Sequence, residues 1–251
     1  ISTAAGNVDA SKMTLDNINL AVDNQNKTVT VASGQKVTVS VDQTTTAAVV
    51  SAAAATAGTN TVNVVLDDGV RSVSSTAVDL ATFTFSNIAT ATIDASADSL
   101  QSGAAETHDI TALTGNTANI TVTGGANNIG LKGAVTLGAT NTLTFTGSGK
   151  VTGNGSEAIT AKEIDASSVT GVVTLLEIES EEVGTVKTGT ANDVVEMTDS
   201  ATEADLTINT GAGNDKLTLE TDATEGQSLI VDMGTGDDTL VLVASQQILA
   251  T

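Results

Sequence analysis

The sequence predicts an all-β fold, with a parallel β-solenoid in its C-terminal part and a less regular β-rich region before it. Three observations carry that expectation. Apolar residues make up 40% of the 251, and they are Ala, Val, Ile and Leu: there is no Trp or Tyr and only three Phe. The core is therefore expected to be thin and filled by small aliphatics. Thr, Ser, Gly and Asn supply much of the rest, which disfavours long helices and suits pleated, half-buried surfaces. Charged residues are only 16%, so disorder is a poor reading.

The third observation is an internal repeat of 22 residues. Ile120, Thr142, Ile164, Val186, Ile208 and Ile230 stand 22 apart at every step. A second column reads Ile129, Val151, Val173, Val195, Leu217 and Leu240, and a third reads Leu131, Gly153, Leu175, Met197, Leu219 and Leu242. Both gain one residue in the last step. Within a repeat these two columns lie two residues apart, the period of a strand with one buried face. Each repeat then reads as one coil, which buries its apolar face only by stacking on neighbours. A β-sandwich with evenly spaced strands is the alternative; three columns sharing one step favour the solenoid.

Taken in order, residues 1–87 form a β-rich region of uncertain architecture, either a separate β-domain or earlier, distorted coils. Segments 28–31 and 36–41 alternate across a Ser-Gly turn, and 62–66 leads into Asp67-Asp68-Gly69, a turn signal. Residues 52–55, all Ala, suit a short helix, though Val49, Val50 and Thr56 argue against a long one. Phe83 and Phe85 alternate on another strand. The segment 92–96 (Thr-Ile-Asp-Ala-Ser) recurs at 163–167 (Glu-Ile-Asp-Ala-Ser), so the solenoid is expected over 88–251. Residues 97–118, with His108, then read as an insertion.

Composition also excludes chemistry. The chain has no Cys and one His, which removes disulfides, thiolate metal sites, a Cys nucleophile and multi-His zinc sites. With 30 acids against nine bases the net charge is −21, which repels phosphate backbones and anionic membrane surfaces. No nucleic acid is expected as partner. No apolar run approaches the roughly 20 residues that span a bilayer, so no membrane insertion is expected either. The N-terminus lacks both a signal-peptide pattern and an initiator Met, so the chain reads as a processed product or a piece of something longer.

Three repeats contain related turns. They read Thr188-Gly189-Thr190-Ala191-Asn192-Asp193, Thr210-Gly211-Ala212-Gly213-Asn214-Asp215 and Met233-Gly234-Thr235-Gly236-Asp237-Asp238. These turns resemble the calcium-binding nonapeptide G-G-x-G-x-D-x-U-x of bacterial RTX proteins. The first Gly is replaced each time, by Thr188, Thr210 and Met233, and Ala191 replaces the third Gly of the first motif. The step also departs from nine. The Thr/Ala-rich, Cys-free character with Ile-Asp-Ala-Ser strands resembles Gram-negative surface-layer proteins. That resemblance implies type I export to the cell surface, calcium-dependent folding, and assembly with copies of itself into a two-dimensional lattice, with a cell-surface glycan as a further partner.

The candidate metal residues are Gly189, Asp193, Gly211, Gly213, Asp215, Gly234, Gly236 and Asp238. Glycine permits positive φ and inward carbonyls, and Ca2+ prefers six to eight oxygens. Asp193, Asp215 and Asp238 are expected to stack along one edge, with two ions between successive motifs. The alternative is ordinary Gly/Asn/Asp turns with solvated carboxylates. At a Kd of about 10⁻⁴ M, about 1 mM calcium stabilises by roughly 1.4 kcal/mol per site. The aligned residues of earlier coils, Asn127, Gly149 and Gly171, should hold no full site.

Acids concentrate late: residues 157–251 hold 19 of the 30. Glu177, Glu179 and Glu181 share one face of an expected strand, with Glu182 beside them; this reads as a solvated face or a weak cation site between molecules. His108, beside Asp109, reads as an exposed loop residue. No G-x-S-x-G elbow occurs, and Gly124-Gly125 and Gly147-Ser148-Gly149 read as solenoid turns, not phosphate loops. β-Solenoids do host sugar-cleaving carboxylate pairs, but without Trp or Tyr an aromatic sugar platform is missing. No enzyme activity is expected. The expected function is a calcium-stabilised structural subunit of an extracellular surface-layer lattice. The alternatives are a segment of a secreted RTX-type adhesin or biofilm-matrix protein, and the calcium-folding module of a secreted hydrolase.

Overall fold

The structure, a computed structural model, describes residues 8–10, 12, 17–21, 29–30, 36–40, 48–53, 60–66, 78–96, 105, 107–115, 118–153, 158–179, 183–198, 205–220 and 228–243. These residues form strands and turns and contain no helix, so none is available to cross a membrane. Every strand pairing is parallel. The first sheet runs in the order β2 (Asn17–Ala21), β4 (Lys36–Ser40), β6 (Thr61–Leu66), β8 (Thr90–Asp94), β10 (Asn119–Gly125), β13 (Thr142–Gly147), β16 (Glu163–Val169), β18 (Thr185–Lys187), β20 (Leu206–Asn209), β22 (Leu229–Asp232). The second sheet contains β5 (Ala48–Ala53), β7 (Val78–Ser86), β9 (Thr107–Gly115), β11 (Asn128–Leu131), β12 (Val135–Leu137), β14 (Val151–Gly153), β15 (Ile159–Thr160), β17 (Val173–Glu179), β19 (Val194–Thr198), β21 (Lys216–Leu219) and β23 (Thr239–Leu242). A separate two-stranded sheet pairs β1 (Val8–Asp9) with β3 (Val29–Thr30).

The chain crosses from one sheet to the other within each coil, so a strand pairs with its counterpart one coil away. This is the β-solenoid expected from the 22-residue columns. It explains why β3 and β4 form no hairpin: β4 pairs with β2 and β6 instead. The Ser-Gly turn and Asp67-Asp68-Gly69 lie outside the described residues. The β6–β8 ladder carries the first sheet across residues 87 and 88.

Aliphatic side chains and all three phenylalanines are packed between the two sheets. Ile93, Val122 and Phe145 align through the first sheet, Leu175, Val195 and Leu217 through the second, and all are buried. Phe83 and Phe85 stack with ring centroids 6.2 Å apart. The recurring Ile-Asp-Ala-Ser segments fold alike. Ile93 and Ala95, like Ile164 and Ala166, are buried. The Ser96 and Ser167 amides donate to Asp94 and Asp165 Oδ1 at 2.9 and 3.0 Å, closing the same turn twice.

The register corrects the columns in detail. Leu143, not Thr142, lies opposite Ile120, and Val231, not Ile230, lies opposite Ile208. Thr142 points outward, and Ile230 is 55% exposed. The extra residue of the last step therefore falls before β22, not between the columns. A bulge in β17 brings Leu175 opposite Val195 and Ile178 opposite Met197. A constant 22-residue step survives only on average, because turns and bulges absorb single residues.

Two further expectations are overturned. Ala52 and Ala53, two of the four alanines expected to suit a short helix, lie in strand β5 (Ala48–Ala53), because in-register pairing with β7 satisfies their backbone; residues 54 and 55 lie outside the described residues. Residues 107–115 are no insertion but strand β9, paired with β7, β11 and β12. His108 is therefore not an exposed loop residue. It is 1% exposed, in register with Asp79 of β7 and Ile129 of β11.

Burial pushes the His108 pKa down from 6.5 to about 4. The unfolded chain then takes up the proton first. Stability is complete above about pH 6.5 and falls as the pH drops towards 4, by up to about 3 kcal/mol. Asp109, pushed up by burial and pulled back by Lys132, acts in the opposite sense. Urea titrations between these pH values should show the loss, and His108→Leu should flatten it. An unchanged slope in that variant would assign the acid sensitivity elsewhere.

Candidate calcium site

The three Gly-Asn/Asp turns stack at one corner of the solenoid, where the chain passes from the first sheet to the second. β18, β20 and β22 enter the turns; β19, β21 and β23 leave them. The second and third turns are tight because glycine admits the left-handed backbone: Gly211 has φ of 85° and Gly234 of 76°, whereas Gly189 of the first turn does not adopt it. They also nest closely. A Cβ on Gly211 would stand 2.0 Å from the Gly189 carbonyl oxygen, and one on Gly234 1.6 Å from that of Gly211. Backbone bonds close the stack: the Ala212 amide donates to Gly189 O and the Thr235 amide to Gly211 O, both at 3.0 Å.

The expected carboxylate column is present, and it is held by amides. Asp193 Oδ1 accepts from the Val173 amide at 2.8 Å, Asp215 Oδ1 from the Asp193 amide at 2.8 Å, and Asp238 Oδ1 from the Asp215 amide at 2.9 Å. Each carboxylate thus reaches back one coil and caps the backbone there. Asp193 and Asp215 are buried and Asp238 is half-buried. Burial pushes the Asp193 carboxyl up; the Val173 and Gly189 amides pull it back, and the Asp215 charge adds to the rise.

The two buried carboxylates differ in their second oxygen. Asp193 Oδ2 accepts from the Gly189 amide at 3.1 Å, so both its oxygens have protein donors. Asp215 Oδ2 is buried with no hydrogen-bond partner. An unpartnered carboxylate oxygen inside a protein is costly unless something positive faces it. Of the expected site residues, Asp215 is therefore the one with a buried carboxylate oxygen left without a donor, the position at which a cation would be compensated. Among the described residues no three acidic or His side chains converge on one point, so carbonyls would have to supply most of the ligands.

No family model, curated protein or solved structure matches this chain. The function of the corner therefore rests on its own geometry.

Sequence reasoning missed the residues flanking the aspartates. Thr188 and Thr210 stand where the nonapeptide has its first Gly, and both are buried. Their hydroxyls donate to the carbonyls of Thr210 and Met233 in the following coil, at 2.8 and 3.0 Å. Outside them, Asn192 Oδ1 accepts from the Asn214 amide at 2.8 Å and Asn214 Oδ1 from the Asp237 amide at 3.0 Å. The signal was available: a polar residue recurring at the same place in successive turns suits a side-chain ladder. In the earlier coils, Asn127 is buried and donates to Ala95 O at 2.9 Å, and a Cβ on Gly149 would meet the Asn127 carbonyl oxygen. The Glu181 and Glu182 end of the acidic run lies outside the described residues.

Proposed function

We propose that the chain is a structural subunit of an extracellular, calcium-stabilised surface-layer lattice, in contact with copies of itself and anchored to a cell-surface glycan. The observation that carries this reading is the buried, unpartnered Asp215 Oδ2 in a stack of acidic turns. A bound calcium ion would supply the positive charge that this oxygen lacks. The Asp215 carboxylate and adjacent carbonyls would hold it, and the ion would join the coils on either side. At intracellular calcium levels the acidic corner is left uncompensated and the last coils open readily. At millimolar calcium they close and present a fixed surface for assembly.

The test is to strip the purified chain with a chelator, restore about 1 mM calcium, a concentration suited to extracellular modules, and image both samples by negative-stain electron microscopy. Ordered sheets that form only with calcium support the reading. Monodisperse particles in both states would overturn the lattice role and favour a segment of a secreted adhesin. Calorimetry on the same samples should show millimolar or tighter calcium binding that Asp215→Asn removes. Heat identical in wild type and variant would sink the assignment to Asp215.

A further inference from the structure

The outward face of the first sheet carries a surface that the aspartate corner does not use. On β8, β10 and β13, alternation sends the apolar residues into the core and the intervening ones outward. Thr92, Thr121 and Thr144 align in register across the three strands, each half-exposed, and Thr123 aligns with Thr146. The Thr146 and Thr123 hydroxyls lie 3.1 Å apart. Asp94 is the single charged residue on these strands, and Ser96 holds its carboxylate. The next strands are charged: Glu163 and Asp165 on β16, and Lys187 on β18, which pairs with Glu163.

We infer that this threonine face is a contact between two copies of the chain, which rests on the lattice reading and names the surface it uses. Copies that each carry a net charge of −21 repel unless they meet where charge is absent. The threonine rows, with the uncharged strand β6 beside them, form the widest such place among the described strands of this sheet, bounded by Lys36 on β4 and Glu163 on β16. A hydroxyl both donates and accepts, so the face is complementary to itself across a two-fold axis. A second copy also presents rows at the same spacing, about 4.8 Å between strands, so methyls and hydroxyls interdigitate along the whole length. Three strands of about 20 Å offer far less than the roughly 800 Å² per partner of a stable isolated interface. The contact therefore holds only where a lattice multiplies it, and the free chain stays monomeric.

The chain has no Cys, so Thr121→Cys introduces a single thiol at the middle of the face. Assembled in calcium and treated with a short bis-maleimide, this variant should yield covalent dimers at least about tenfold above Thr218→Cys, whose thiol lies on the opposite sheet, because a lattice contact raises the effective concentration of the paired thiols. Thr121→Lys should abolish sheets while circular dichroism and melting stay as in wild type. Wild-type sheets together with equal cross-linking at the two positions and normal assembly of Thr121→Lys would overturn the face contact and leave the lattice reading standing. Absence of wild-type sheets would overturn the lattice reading and the face contact with it, because the contact holds only where a lattice multiplies it.

Discussion

Gly211→Ala is expected to destabilise the chain by about 3–5 kcal/mol and to release its last coils as a unit. Two effects combine. Gly211 sits at φ of 85°, where a Cβ is strained. The new methyl would also stand 2.0 Å from the Gly189 carbonyl oxygen and 3.0 Å from that of Thr188. Both are backbone atoms of the preceding turn, so relief requires the two coils to separate. Separation breaks the Ala212 to Gly189 bond and loosens the Thr188 to Thr210 bond beside it. In a solenoid each coil is held by its neighbours alone, so one weak junction uncouples everything beyond it. Hydrogen exchange should show Leu217 and Leu219 losing protection while Ile120 and Val122 keep theirs. Thr190→Ala, an exposed change in the preceding turn, should leave both groups unaltered. Uniform protection in Gly211→Ala would show that the turns part at little cost.

Asp193→Ala should cost about 4 kcal/mol, with the loss fully present in chelator. The substitution leaves the Val173 and Gly189 amides without their acceptor. Each orphaned buried donor costs about 1–3 kcal/mol. This separates an aspartate that stitches coils from one that serves only as a metal ligand, whose removal would change nothing without calcium. Asp193→Asn keeps an acceptor for Val173 and removes a charge that burial disfavours, so it should lose distinctly less. Asp215→Asn should act in the reverse pattern, with little change in chelator and a lost response to calcium. Chemical denaturation of the three variants with and without calcium measures all of this. If Asp193→Ala matched wild type in chelator, the amide-capping role would be wrong.

The outcome at individual residues shows where sequence reading works and where it stops. Ile164, Val186 and Ile208 were legible as one buried column because a half-buried strand alternates and a solenoid repeats. The paired Ile-Asp-Ala-Ser turns and the stacking of Asp193, Asp215 and Asp238 were legible for the same reason: local chemistry that recurs at the coil step must stack. Thr142 and Ile230 were placed one residue out, because a fixed step cannot locate single-residue insertions in turns. His108 reads as a loop residue in the sequence because its burial comes from β7 and β11, whose facing residues Asp79 and Ile129 are 29 and 21 positions away.

The sequence by itself determined the all-β class, the coil repeat and the acidic corner, since alternation and periodicity are local properties of the chain. Only the tertiary structure decided the register, the burial of His108, and the difference between Asp193, with both oxygens bound by amides, and Asp215, with one left bare. Identical motif positions diverged there because a carboxylate's partners come from the neighbouring coil. Which amide faces it depends on how the two coils pack, not on its own motif.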